Sequence, residues 1–140
     1  MLKIQNVKMV FSKGTPDEKL ALNDLSLDVK NGDFITIIGA NGAGKSTLFN
    51  AIAGTYLTDD GRIILDGKDI TSLPEHKRAR FIGRLFQDPM KGSAPGMSIE
   101  ENLALAAGHG GWLSRVSKKD KALFREKLSL LGMGLEDRMG

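Results

Sequence analysis

The stretch GANGAGKST, residues 39–47, carries the densest chemistry in the chain. From Gly39 the spacing is G-x-x-x-x-G-K-S, closed by Gly44, Lys45 and Ser46. Glycine admits main-chain angles closed to other residues. Successive N–H groups of such a loop, through Asn41, Gly42 and Ala43, can therefore turn inward around an anion. A helix predicted over residues 45–53 adds unsatisfied N–H groups and the positive end of its dipole. At this spacing Lys45 reaches the β- and γ-phosphates of a nucleotide, and the Ser46 hydroxyl completes the shell of a Mg²⁺ ion. Thr47 offers a further hydroxyl at the same helix start. The chemistry expected here is the binding of nucleotide phosphates.

Such a loop needs a strand before it and a helix after it. Residues 34–38, FITII, form a short apolar run of the kind buried on both faces of a parallel sheet. Gly54 is placed to end the helix. Ahead of the run, residues 2–11 and 20–29 alternate apolar and polar side chains, which predicts two antiparallel strands with one wet face. Residues 30–33, KNGD, form the turn into the phosphate-loop strand. Behind the helix, DDGRIILDGKDI predicts two short strands around an Asp66-Gly67 turn. Ser72 with Glu75 suggests a capping box for a short basic helix over residues 73–80, and FIGRLFQ (81–87) suggests another buried strand. After Gln87 the character becomes helical. DPMKGSAPGM predicts a loop, and Ser98 with Glu101 a capping box opening a helix over residues 99–107. Gly108, Gly110 and Gly111 break that helix. A last helix over residues 118–131 carries Leu123, Phe124, Leu128 and Leu131 on its apolar side and stops at Gly132.

The composition is that of an ordinary globular protein. The 140 residues include 41% hydrophobic and 26% charged side chains, enough for a real core. With no cysteine, a disulfide framework and a cysteine-based zinc site are both excluded. No apolar run approaches the length of a membrane span, and the first residues alternate like a strand rather than a signal peptide. A cytoplasmic location is expected, with membrane attachment through a partner. The net charge of +3 is mild. The basic clusters HKRAR (76–80) and SRVSKKDK (114–121) have interleaved acids and few aromatic neighbours, so they are expected to be solvated helix faces rather than a nucleic-acid surface.

With these elements in order, the chain resembles the N-terminal half of the ATP-binding subunit of an ATP-binding cassette (ABC) transporter. GANGAGKST is similar to that family's own version of the Walker A phosphate loop, and FQDP follows it at the matching place. The resemblance implies an α/β P-loop NTPase fold: a RecA-like core with an N-terminal antiparallel β subdomain over residues 1–92. The incomplete start of a helical subdomain would follow over residues 93–140. It places Phe11 where the family stacks an aromatic ring on adenine; tyrosine is commoner there, and phenylalanine keeps the stacking face. Gln87 lies 42 positions after Lys45 (87 − 45) and matches the glutamine of the family's Q-loop. An amide there can coordinate Mg²⁺ or orient water, which makes Lys45 and Gln87 the expected catalytic residues in this chain and Ser46 and Gln87 its expected metal contacts. The loop over residues 88–97 would face a transmembrane permease subunit, and full-length subunits would pair head to tail as homodimers.

The resemblance also shows what this stretch lacks. Catalysis in the family needs a strand ending in aspartate followed by a glutamate, and RIILD (62–66) ends instead in a tight turn at Asp66-Gly67. An LSGGQ-like signature and a late histidine are absent, and His76 and His109 fall in surface contexts. The chain is therefore expected to be a fragment: ATP and Mg²⁺ binding, with hydrolysis only in the full-length ATPase at the inner face of the membrane. PEHKRARFIGRLFQDP followed by SIEENLALA is similar to bacterial importers described as carrying tryptophan or tyrosine. The alternative is a non-transport relative acting on nucleic acid or the ribosome. A small P-loop kinase would start directly at its phosphate-loop strand, and the two strands before residue 34 argue against it.

Overall fold

Alternation along the first thirty or so residues produces a hairpin, as expected. Strand β1 (Leu2–Phe11) pairs antiparallel with β2 (Lys19–Val29), with Leu2 opposite Val29 and Phe11 opposite Lys19. Strand β3 (Asp60–Leu65) takes the other edge of β1, and β4 (Lys68–Asp69) closes a sheet of order β2-β1-β3-β4. The turn between β3 and β4 has Asp66 at φ 48° and Gly67 at φ 78°, the paired left-handed residues of a tight hairpin. Asp66 is held there by the N-terminal ammonium of Met1, which also donates to Asn31.

In this computed structural model, residues 1–108 and 116–139 are described. They fall into two compact units, Met1–Arg84 and Leu85–Gly140. The first is built on one core: Ile4, Val7 and Met9 of β1, Leu22 of β2, Ile63 of β3, Ile70, and Leu48 and Ala51 of helix α1 (Lys45–Ala53). Gly54 ends α1 in the left-handed conformation, its N–H donating to the Asn50 and Ala51 carbonyls. The second unit packs Ala104 of α3 (Ile99–Ala106) against Phe124 and Leu128 of α4 (Lys118–Ser129) and against Met139.

Several expectations need correction. The runs at residues 34–38 and 81–87 form no strand. Phe34, Ile38 and Leu85 are 94%, 91% and 100% exposed, because no neighbouring strand pairs with either run. The basic helix α2 is a single turn, Glu75–Arg78, with Pro74 as its N-cap and no side-chain cap. A residue before proline is disfavoured in helical angles, which keeps Leu73 out of the helix. Glu75 does not reach back to Ser72; its carboxylate accepts from the Thr55 hydroxyl at 2.9 Å and faces Arg84 at 3.4 Å.

Arg78 is not part of a solvated face. It is fully buried, and its guanidinium donates to the carbonyls of Leu73, Ala51, Ile52 and Thr71 at 2.6–2.9 Å. Burial lowers its pKa, and Asp69 opposes that effect.

In the second unit the Ser98–Glu101 capping box forms as expected. A second box, Ser117 with Asp120, opens α4; the pattern S-x-x-D lies inside a basic stretch, ahead of the helix's first apolar residues. Of the apolar side read for α4, Phe124 and Leu128 are buried, whereas Leu123 and Leu131 are 46% and 59% exposed. The expected loop after Gln87 contains one 3-10 turn, Pro89–Gly92, capped by the Asp88 carboxylate on the Met90 N–H. The helix break at Gly110 and Gly111, and His109, lie outside the described residues.

Candidate nucleotide-binding site

The loop of residues 39–44 enters α1 through Gly44, which sits at φ 85° and ψ 0° as the helix N-cap. A Cβ at this position would lie 2.6 Å from the Ala21 carbonyl oxygen, so the loop can lie this close to β2 only with glycine there. Gly42, at φ 83°, makes the preceding turn. Inside the loop the Ala43 N–H donates to the Ala40 carbonyl. The first-turn N–H groups of α1, those of Lys45, Ser46 and Thr47, have no helical carbonyl before them. No side chain caps them, and the first turn carries no acidic residue. A row of backbone donors at the positive end of a helix dipole, with nothing negative competing, is a fit for an anion.

The Lys45 side chain folds over the loop. Its ammonium donates to the Gly39 carbonyl at 2.6 Å and the Ala40 carbonyl at 2.8 Å. The charge is thereby held above the cradle. Ser46 is exposed at the helix start and Thr47 is half-buried beside it.

Phe11 ends β1, half-buried against the core that holds Leu22 and Leu48. Its ring meets Tyr56 edge-on, with centroids 5.4 Å apart and planes at 81°. Tyr56 was not singled out in the sequence; an isolated aromatic after a helix gives no signal until its partner is known. Gln87 is exposed, at a bend, and belongs to the second unit, whereas Phe11 and residues 39–47 belong to the first. Among the described residues, no cluster of histidine and carboxylate side chains could hold a metal by itself.

The family model for ABC transporters matches residues 22–139, from β2 to the end of the described chain. The chain belongs to the ABC transporter family. It is 42% identical over 114 residues to a tyrosine transport ATP-binding protein of Clostridioides difficile (strain R20291), covering 81% of this chain and 45% of that protein. It is 35% identical over 133 residues to the bicarbonate transport ATP-binding protein CmpC of Synechococcus elongatus, covering 94% of this chain and 19% of that one. The chain thus spans less than half the length of these relatives.

Solved ABC cassettes share its fold. A dimeric post-hydrolysis cassette, MJ0796 bound to ADP and Pi, superposes with a TM-score of 0.72 at 25% identity, over 93% of this chain and 57% of that one. A nucleotide-free cassette from an ABC transporter gives 0.71 at 29% identity, over 99% of this chain and 57% of that one. The fold is therefore that of the P-loop ATPase cassette, with its antiparallel sheet and following helices. No helix among the described residues is long and apolar enough to cross a membrane.

Proposed function

We propose that this chain is the nucleotide-binding part of an ABC ATPase subunit, which binds MgATP and, in the full-length protein, hydrolyses it to drive transport. The observation that carries this reading is the Gly44-capped start of α1, with uncapped N–H groups and the Lys45 ammonium folded over it. In this role Lys45 exchanges two carbonyl acceptors for phosphate oxygens, a charge-assisted and stronger pairing. The loop N–H groups hold the phosphate chain in place. Ser46 would contact a Mg²⁺ ion, which supplies charge neutralisation on the phosphates, and Gln87 is proposed as its other protein contact, through the amide oxygen. Phe11 offers a stacking face for adenine at the end of β1, with Tyr56 against its ring.

The division into a nucleotide-binding core (1–92) and the beginning of a helical subdomain (93–140) belongs to the same reading. So does a permease contact through residues 88–97, in a peripheral subunit at the inner membrane face. Asn102 supports that loop: its side chain accepts from the Ala94 N–H and donates to the Ala94, Met97 and Ser98 carbonyls. Head-to-tail pairing of full-length subunits is part of the proposal as well. Similarity to the tyrosine transport protein favours an aromatic amino acid as cargo of the assembled transporter. The nucleic-acid alternative is disfavoured, because the relatives found are transport ATP-binding proteins.

The test is calorimetric titration of the full-length protein with MgATP. Binding by the parent and negligible binding by Lys45→Ala is the expected result; similar affinities would remove Lys45 from the site.

A further inference from the structure

Strand β2 begins alongside the phosphate loop. Its Ala21 carbonyl approaches Gly44, and two residues earlier the Lys19 ammonium stands 3.7 Å from the point where a Cβ on Gly42 would lie. Lys19 is the cross-strand partner of Phe11, the residue proposed to stack on the base. It therefore connects the two ends of the proposed nucleotide site: its backbone is paired at the base end and its charge lies over the phosphate cradle.

Among the described residues no salt bridge neutralises that charge. Lys19 is exposed and has no carboxylate within ion-pair distance among the described residues. The adjacent Glu18 is turned the other way, its carboxylate accepting from the Gly14 N–H at 2.7 Å. Lys45 is itself occupied on the Gly39 and Ala40 carbonyls. The two cations thus reach the loop from different elements, Lys19 from β2 and Lys45 from α1. Neither spacing nor pattern in the sequence marks Lys19, because it lies twenty residues before the loop and reaches it only through the β1–β2 hairpin.

We infer that Lys19 is a second phosphate-binding cation of this site, contacting the base-proximal part of the phosphate chain that ATP and ADP share. The inference rests on the nucleotide-binding reading above and adds to it a residue and a ligand moiety. A flexible ammonium at the solvent edge contributes a charge-assisted contact that salt screens. Its loss should weaken both nucleotides by the same factor.

The experiment is titration of the full-length protein with MgATP and with ADP, at low and high ionic strength, for the parent, Lys19→Met, Lys19→Arg and Lys45→Ala. Methionine keeps most of the stem and removes the charge. Lys19→Met is expected to weaken ATP and ADP alike, by about three- to tenfold at low salt and less at high salt. Lys19→Arg should stay within about twofold of the parent, since it keeps the charge. Lys19→Met binding both nucleotides like the parent overturns the inference alone, and so does a loss in Lys19→Arg as large as in Lys19→Met. A parent whose binding is untouched by Lys45→Ala overturns the underlying reading, and this inference with it.

Discussion

Lys45, Gly44 and Phe11 each do something a substitution can isolate. Gly44 combines a left-handed backbone with a 2.6 Å approach to the Ala21 carbonyl. Gly44→Ala therefore meets two costs: about 1–2 kcal/mol for the backbone angle, and a clash with main chain that cannot move aside. Its expected outcome is a lower unfolding midpoint together with weakened MgATP binding, measured on the same preparation. Unchanged stability would mean that the loop lies farther from β2 than the structure has it. For Phe11, replacement by alanine should cost about 1–3 kcal/mol of ATP affinity, the scale of one base stacked on an aromatic ring. Phe11→Tyr should bind about as well as the parent. An alanine variant that folds and binds ATP normally would leave Phe11 as a packing partner of Tyr56 and the strand core. At this scale the sequence was most informative about the phosphate loop, because its constraints are local: glycine where the backbone turns, lysine and serine where the helix begins. Lys19 and Tyr56 were illegible because their roles depend on partners far along the chain.

At the level of elements, the reliable readings were those that contained their own partners. The β1–β2 and β3–β4 hairpins could be read from alternation and an Asp-Gly turn, since each strand's neighbour follows it directly. The two apolar runs at 34–38 and 81–87 match a buried strand in composition, yet a strand needs neighbours on its edges and cover on its faces. Here no strand pairs with either run, and cover is limited to one side, where Ile37 and Ile82 touch the core. The α2 region shows a different failure. Its capping pattern was overridden by Pro74 and by the long-range contacts of Glu75 with Thr55 and Arg84. Arg78 is the element-scale feature with the largest expected effect. It ties the last carbonyls of α1, those of Ala51 and Ile52, to those of Thr71 and Leu73. Arg78→Ala would remove the side-chain donor from four carbonyls around a cavity, leaving Ala51 only its bond from the Gly54 N–H, a loss of about 2–4 kcal/mol. Lysine cannot reproduce the planar fork, so Arg78→Lys should recover only part of it. Denaturant unfolding of the full-length protein checks both; an alanine variant as stable as the parent would show that water satisfies those carbonyls.

For the molecule as a whole, the β hairpins and α1 assemble the phosphate cradle within the first unit. Asp66, the one aspartate closing a hydrophobic strand pattern, is engaged with the N-terminal ammonium in a hairpin turn. Phe34 and Ile38 lie open immediately before the loop. The 140-residue polypeptide by itself should accordingly be prone to aggregation and bind ATP weakly at most. Light scattering of the purified polypeptide checks this, and a stable monomer with cooperative unfolding would contradict it. The central claim, that residues 39–47 form the nucleotide site of an ATPase whose chemistry needs further parts, is tested most directly by phosphate release at saturating MgATP. Turnover by the full-length protein, its loss in Lys45→Ala, and no release above buffer from the polypeptide Met1–Gly140 are the expected results. Sustained, Lys45-dependent hydrolysis by that polypeptide would contradict it and would point first to Asp66; so would full-length turnover that Lys45→Ala leaves intact.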